Sequence, residues 1–303
     1  MHMIVAGPTD PDLDGLACSY AYAEFLRSKG HDAQCVVYGN PREEAAFAAK
    51  KFRIRFMRNL DASGKKVVLV DTSVLARVSR KIDPNDVIEV IDHRKLNTAG
   101  EFKNAKLQLE FIGAAATMVA EKFMKGNADI SRESASLLLL AIISNTINFR
   151  NNVTTQRDRK AARWLEARAR VEKNYVRNFF LQKSRIGNLA LEIKRDGGIF
   201  SLGGMKIYIA QLEMLDGEKF VRKNGAEILR ILKSMEKKNS LEHSFLKVID
   251  VGLGNNVFYT QSSAVMRALE DVAGAKFSGP IGKSRGIIMR KELAPLLDEY
   301  FRK

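Results

Sequence analysis

Met3-Ile4-Val5-Ala6-Gly7-Pro8-Thr9-Asp10-Pro11-Asp12-Leu13-Asp14-Gly15 decides how the rest of the chain is read. Four consecutive apolar residues suit a strand buried on both faces, because alternation is expected only where one face meets water. Glycine, proline and aspartate then break the run, and from about Leu16 to Lys29 apolar residues return on a helical period. A buried strand that passes through a loop into a helix opens a βαβ unit. The same rhythm continues with a strand at Ala33–Val37, a helix at Glu43–Lys51, and strands at Lys66–Val70 and Val87–Ile91, the last two ending at Asp71 and Asp92. The expectation is an α/β fold with a doubly wound, mostly parallel sheet, whose functional residues gather at the carboxyl ends of its strands.

Further along, Gly113–Met124, Ser131–Ser144 and Thr155 to about Tyr175 read as helices. Ser131 suits an N-cap, as does Thr154 or Thr155 ahead of Asp158. The charged stretch Arg177–Arg195 leads to Gly197-Gly198, read as a linker turn, and Gly203-Gly204 reads as a hairpin turn. Strands at Lys206–Gln211, Phe245–Val251 and Asn256–Thr260, with helices at Lys219–Lys237 and Ser263–Ala273, make a second, smaller α/β domain. The expected division is therefore 1–190 and 198–303. The basic, aromatic run Lys50–Arg58 reads as a strand with one basic face, and Gly282–Gly286 as a basic loop.

A composition of 46% hydrophobic and 28% charged residues over 303 positions excludes a disordered or collagen-like chain. The longest apolar run, Leu137–Ile143, is far short of the roughly 18 residues of a membrane span. No signal peptide is visible, so a cytoplasmic location is expected. Cys18 and Cys35 sit in apolar settings without metal-ligand spacing and read as buried thiols. Lys and Arg total 50 against 35 Asp and Glu, a net charge of +15 spread over both halves. That balance favours a polyanionic partner, whether phosphate, polyphosphate or nucleic acid; a solvated basic surface is the plainer alternative.

Asp10, Asp12 and Asp14 fall at i, i+2 and i+4 after the first strand, where mutual repulsion needs a cation to offset it. One aspartate would serve a turn or an N-cap; three point to a divalent ion, for which carboxylate oxygens suit magnesium and manganese. Asp71, Asp92 and His93 arrive at the ends of two more strands. Carboxylates and an imidazole converging on one sheet edge match a two-metal phosphoryl-transfer site, with one bridging carboxylate and ions about 3.5–4 Å apart.

The order Asp-Pro-Asp-x-Asp-Gly, Val-Asp-Thr (70–72), Ile-Asp-His (91–93), Gly-Ala-Ala-Ala-Thr (113–117) and Ile-Ile-Ser-Asn-Thr (142–146) resembles the DHH phosphoesterase superfamily. Through Gly204–Gln211, Val248–Val251 and Met289–Pro295, the second half is similar to the C-terminal domain of manganese-dependent family II inorganic pyrophosphatases and exopolyphosphatases. The resemblance implies metal ligands at Asp12, Asp14, Asp71 (bridging) and His93. It also implies phosphate-gripping residues at Lys206, Arg290 and Lys291 in the second domain, and a substrate held between the domains. Its cofactor would be Mn²⁺ or Mg²⁺, as two ions or one. Three positions depart from the family pattern. Pro8 replaces a ligating histidine, with Asp10 as a candidate substitute; Arg94 replaces the second histidine of the triplet and suits a phosphate contact; Asn145 replaces an aspartate ligand. The implied activity is hydrolysis of pyrophosphate or short polyphosphate by metal-activated water, with Asp71, His93 and Arg94 at the reaction. Alternatives are a phosphodiesterase acting on nucleotides or short oligonucleotides, and a phosphate-binding protein that has lost turnover. The expected partner is a phosphate-containing small molecule rather than nucleic acid or a membrane, with a homodimer as a candidate assembly.

Overall fold

From the N-terminus the elements run β1 (Met3–Ala6), α1 (Leu13–Ser28), β2 (Ala33–Val37), α2 (Glu43–Lys51), β3 (Met57–Arg58), β4 (Lys66–Val70), β5 (Val87–Asp92) and β6 (Lys106–Leu109). Helices α3 (Ala115–Gly126), α4 (Arg132–Asn145) and α5 (Gln156–Glu166) follow. The computed structural model describes residues 2–94, 98–169, 171–172 and 174–303; the side chain of Lys291 lies outside that description. Among the described residues, six strands pair in parallel in the order β3-β2-β1-β4-β5-β6. β1 is buried along its whole length, as its unbroken apolar run requires. The strand order reverses between β1 and β4, and such a switch point opens a crevice beyond the strand ends.

One face of this sheet is covered by α1, which packs on β1, β2 and β4 and against α3 and α4. The other holds a core of Ile4, Ala6, Val36, Leu69 and Val90, closed by Val78, Ile82, Ala99 and Phe102 from the connections. The expected caps form. Ser131 accepts from the Ser134 N–H, and Thr155 makes a reciprocal capping box with Asp158. The helix expected to reach Tyr175 stops earlier, at Glu166. The 50–58 run is not a strand either. Lys50 and Lys51 complete α2, Arg53 has a positive φ of 54°, and only Met57–Arg58 pairs, at the sheet edge.

By packing, the chain divides into Met1–Phe149 with Val153–Val176, and Arg150–Asn152 with Arg177–Lys303. The second unit contains most of α6 (Tyr175–Lys183), then α7 (Leu189–Arg195), β7 (Gly197–Leu202), β8 (Met205–Met214), α8 (Gly217–Asn239), β9 (His243–Asp250), β10 (Asn255–Tyr259), α9 (Ser263–Ala273), β11 (Lys276–Ser278), β12 (Ile281–Arg285) and α10 (Arg290–Arg302). Its sheet order is β11-β12-β10-β9-β8-β7, with only β8 and β9 parallel. Leu189, Ile193, Val221 and Ile228 of α7 and α8 fill one face, and Val265, Leu269, Leu293 and Leu297 of α9 and α10 the other.

Two glycine-flanked stretches depart from their sequence reading. Gly197-Gly198 opens β7 rather than a linker, because a Cβ at Gly197 would lie 1.8 Å from the Tyr208 hydroxyl, which donates to the Ile193 carbonyl at 2.8 Å. The 282–286 stretch is mostly strand β12, held by β10 and β11 on its two sides. Among the described residues no helix is long and apolar enough to cross a membrane.

Candidate metal centre

The centre is built where β1, β4 and β5 end. Asp14 lies in the first turn of α1 and is buried. Its Oδ2 accepts from the Ala115 N–H at 2.9 Å and from Asn145 Nδ2 at 2.6 Å, and its Oδ1 accepts from the Ala116 N–H at 2.9 Å. The carboxylate thus sits at the N-terminus of α3, where free N–H groups favour negative charge. Burial and the nearby charges of Asp71 and Asp12 nonetheless push this carboxyl up to about 7, against the opposing pull of His93 and the Ala115 N–H.

Asp71 follows β4 with a positive φ of 54° and is wholly buried. Neither carboxylate oxygen accepts a hydrogen bond. Arg94 Nη1 stands 3.0 Å from Oδ1 as an ion pair, and His93 Nε2 stands 3.4 Å from the same oxygen. Burial pushes the Asp71 carboxyl upward; the Arg94 charge is the largest opposing influence.

His93 directs Nδ1 to the Ile112 carbonyl at 3.1 Å, which fixes that nitrogen as the donor and leaves Nε2 facing Asp71 and, at 3.8 Å, Asp14. Burial alone would lower the imidazole, but the contact with Asp71 and the charges of Asp14 and Asp71 carry it to about 9.

One ligand atom each from Asp14, Asp71 and His93 lies within 4.8 Å of the others. Two unsatisfied oxygens on a buried carboxylate, beside an oriented imidazole nitrogen, are a donor set that a divalent cation completes. The residues present therefore fit the ion that the sequence implies.

The other expected site residues take different places. Asp10 lies outside this cluster. It is exposed, and its Oδ1 accepts from the Asn40 N–H at 2.6 Å. Gly39, with a φ of 73°, leaves room for that approach: a Cβ there would meet the Asp10 carboxylate at 2.2 Å. Asp12 is the N-cap of α1, its Oδ1 accepting from the Gly15 N–H at 3.1 Å. Although burial raises it, this carboxyl is held below its ordinary range by that N–H and by the guanidinium charges of Arg42, Arg94 and Arg77.

Arg94 Nη1 donates to Asp92 Oδ1 at 2.8 Å and to the Asp71 carbonyl. Asn145 touches the centre as a donor to Asp14. Lys206 is exposed at the start of β8. Arg290 lies elsewhere, with Nη1 on the Asp196 and Ile209 carbonyls and its guanidinium over the Phe200 ring. Lys291, whose side chain lies outside the described residues, has no assigned place.

Sequence reasoning placed Asp92 at a strand end but did not show that it holds the centre in shape. Asp92 is buried and bonded to Ser73 Oγ, to the His93 N–H at 2.7 Å and to Arg94. The Ala115 and Ala116 N–H groups belong to the 113–117 motif, which was legible in sequence, but their role as donors to Asp14 was not. Arg42 and Arg77 carried no spacing signal at all.

Residues 2–142 are similar to the N-terminal domain of the DHH family. Over 311 aligned positions the chain is 27% identical to a Deinococcus radiodurans protein assigned as a manganese-dependent inorganic pyrophosphatase, covering 99% of this chain and 98% of the relative. A Bacillus cereus protein with the same assignment is 26% identical over 306 positions, with the same coverage. Among solved structures, a Methanococcus jannaschii protein assigned to the family II inorganic pyrophosphatases superposes with a TM-score of 0.74 at 24% identity, covering 99% of this chain and all of that one. An exopolyphosphatase-related protein from Bacteroides fragilis matches at 0.53 and 11% identity, covering 99% and 91%. This chain shares the fold of these two proteins.

Proposed function

We propose that this protein is a metal-dependent hydrolase of phosphoric anhydrides that acts on pyrophosphate or short polyphosphate. The observation that carries this reading is the trio of buried Asp14, buried Asp71 and partly buried His93 at the switch point, with the Asp71 carboxylate accepting no hydrogen bond. The full-length likeness to proteins assigned as manganese-dependent inorganic pyrophosphatases supports the substrate. When bound, Mn²⁺ or Mg²⁺ acidifies a coordinated water and draws charge from phosphoryl oxygens.

The chain's own residues then have distinct tasks. Asp14, Asp71 and His93 would hold the ion. The Ile112 carbonyl keeps His93 Nε2 turned inward. Asn145 and the α3 N-terminus fix the rotamer of Asp14. Arg94, braced by Asp92, presents a planar guanidinium that suits phosphoryl oxygens and stays charged through neutral pH. Lys206, exposed on the second unit, is the substrate contact this reading assigns there, and it makes the 1–190 and 198–303 regions metal-binding and phosphate-gripping respectively.

Phosphate release from pyrophosphate by the purified chain tests the reading, with Mn²⁺ supplied and again after chelation. The expected result is metal-dependent release at about 1 per second or faster. Release from a nucleotide phosphodiester but not from pyrophosphate would replace the substrate. No release from either, with phosphate still bound, would replace hydrolysis by binding.

A further inference from the structure

The two sides of Asp71 differ in what they offer a cation. On one side His93 Nε2 and Asp14 Oδ2 face each other at 3.8 Å, with Asp71 Oδ1 3.4 Å from the imidazole. On the other side stands Arg94, with Nη1 3.0 Å from that same oxygen. This guanidinium is anchored. Nη1 also bonds the Asp71 carbonyl and Asp92 Oδ1, and Asp92 is fully buried and held in turn by Ser73 and the His93 N–H.

Asp12, the remaining carboxylate on this side, caps α1 and is faced by the charges of Arg42, Arg77 and Arg94. Backbone bonds tie both flanking arginines to the same loop. The Arg42 N–H donates to the Pro11 carbonyl at 2.9 Å, and the Thr9 N–H donates to the Arg77 carbonyl at 2.8 Å. Pro8, buried beside Gly15, has no side-chain atom to offer a metal. A divalent ion brought to Asp12 and Asp71 would meet an anchored guanidinium and two further like charges, where attraction and repulsion both act in a partly dry environment.

We infer that Arg94 is the resident cation on the Asp12 side of the centre, and that this protein takes a single divalent ion, at Asp14, Asp71 and His93. Arg94 then supplies from the chain itself the positive charge that a second ion would bring to a phosphoryl group. That last role rests on the proposed reaction; the ion count does not.

The count is read without substrate, by titrating Mn²⁺ into the metal-stripped full-length protein. Equilibrium dialysis with elemental analysis gives the stoichiometry, and electron paramagnetic resonance separates single from exchange-coupled ions. The expected result is one Mn²⁺ per chain with a mononuclear spectrum. Asp14→Asn should weaken binding at least about 100-fold, and Asp12→Asn should leave it within about threefold. The double variant Pro8→His with Arg94→His should gain a second, coupled ion.

Two ions per wild-type chain, a coupled wild-type spectrum, absence of Mn²⁺ binding, or a loss in Asp12→Asn as large as in Asp14→Asn would each overturn the inference. The wild-type and Asp12→Asn results decide it whether or not the double variant folds. A chain that binds one ion yet releases no phosphate would keep this inference and lose the proposed reaction; a chain that hydrolyses pyrophosphate with two would do the reverse.

Discussion

Asp71, at the end of β4, and Asp158, in the first turn of α5, are equally shielded from solvent. Asp158 Oδ1 accepts from the Thr117 hydroxyl at 2.6 Å, and its Oδ2 accepts from the Gly113 N–H at 3.1 Å and from the N–H and hydroxyl of Thr155 at 2.7 and 2.8 Å. Those partners satisfy the carboxylate and pin α3 to the start of α5. Asp71 accepts no hydrogen bond and is crowded by Arg94, His93 and the neighbouring acids. A buried carboxylate without donors costs several kcal/mol, and folds retain one where a further cation completes it. Burial therefore does not separate a structural aspartate from a functional one. The inventory of donors does.

The strongest way to break this contrast is to neutralise each aspartate in turn. Asp71→Asn should lower Mn²⁺ affinity and any pyrophosphate turnover by at least about 10³-fold, roughly 4 kcal/mol. The metal-free protein should change in urea stability by no more than about 1 kcal/mol, because relief of a buried carboxylate that accepts no hydrogen bond is offset by loss of its ion pair to Arg94. A loss of about 3 kcal/mol would make Asp71 a structural residue after all. Asp158→Asn should do the opposite, costing about 3 kcal/mol of stability while changing Mn²⁺ affinity by no more than about tenfold.

Lys247 sharpens the comparison from the second unit. It is fully buried on β9 and donates to Gln211 Oε1 at 3.1 Å. Burial pulls its ammonium down from 10.5 to about 7, with Arg290 adding to the effect and Glu213 and Glu292 opposing it. Between those two values the unfolded chain keeps a proton that the folded chain has lost. Stability therefore rises with pH across that window, and it falls as the pH drops to about 7. Lys247→Met should gain about 3 kcal/mol at neutral pH, and the gain should disappear as the pH approaches the ordinary lysine value. Equal gains at neutral and alkaline pH would place the cause in packing rather than charge.

The smallest expected effect is at Asn145. Replacing this donor to Asp14 by a carboxylate, Asn145→Asp, should tighten Mn²⁺ about tenfold and destabilise the metal-free protein by about 1 kcal/mol. Isothermal titration with and without metal separates the two effects; unchanged affinity would place residue 145 outside the coordination sphere.

Much of the scaffold was legible because it follows from short-range periodicity. The largely apolar runs of β1, β4 and β5 suited buried parallel strands, and Ser131 and Thr155 announced their helices through capping chemistry. Legibility failed where a local pattern met a tertiary competitor. The 50–58 run has strand composition, yet α2 and a left-handed turn at Arg53 claim most of it. The charged stretch after residue 177 forms helices because Phe179, Phe180, Leu189 and Ile193 find a core.

The centre divides in the same manner. Asp71 and His93 follow from sequence order, since every parallel strand delivers its next residue to the same edge of the sheet, and Asp14 from the helix start that follows β1. Which carboxylates face one another does not follow from that order. Asp10 and Asp14 are only four positions apart, but one closes a surface loop at Asn40 while the other caps α3 about a hundred residues away. The inward turn of His93, the anchoring of Arg94 through Asp92 and the gathering of Arg42 and Arg77 around Asp12 likewise belong to the tertiary structure. Spacing determines where along the chain a charge appears; only the folded packing decides which donors and opposing charges it meets, and those set its chemistry.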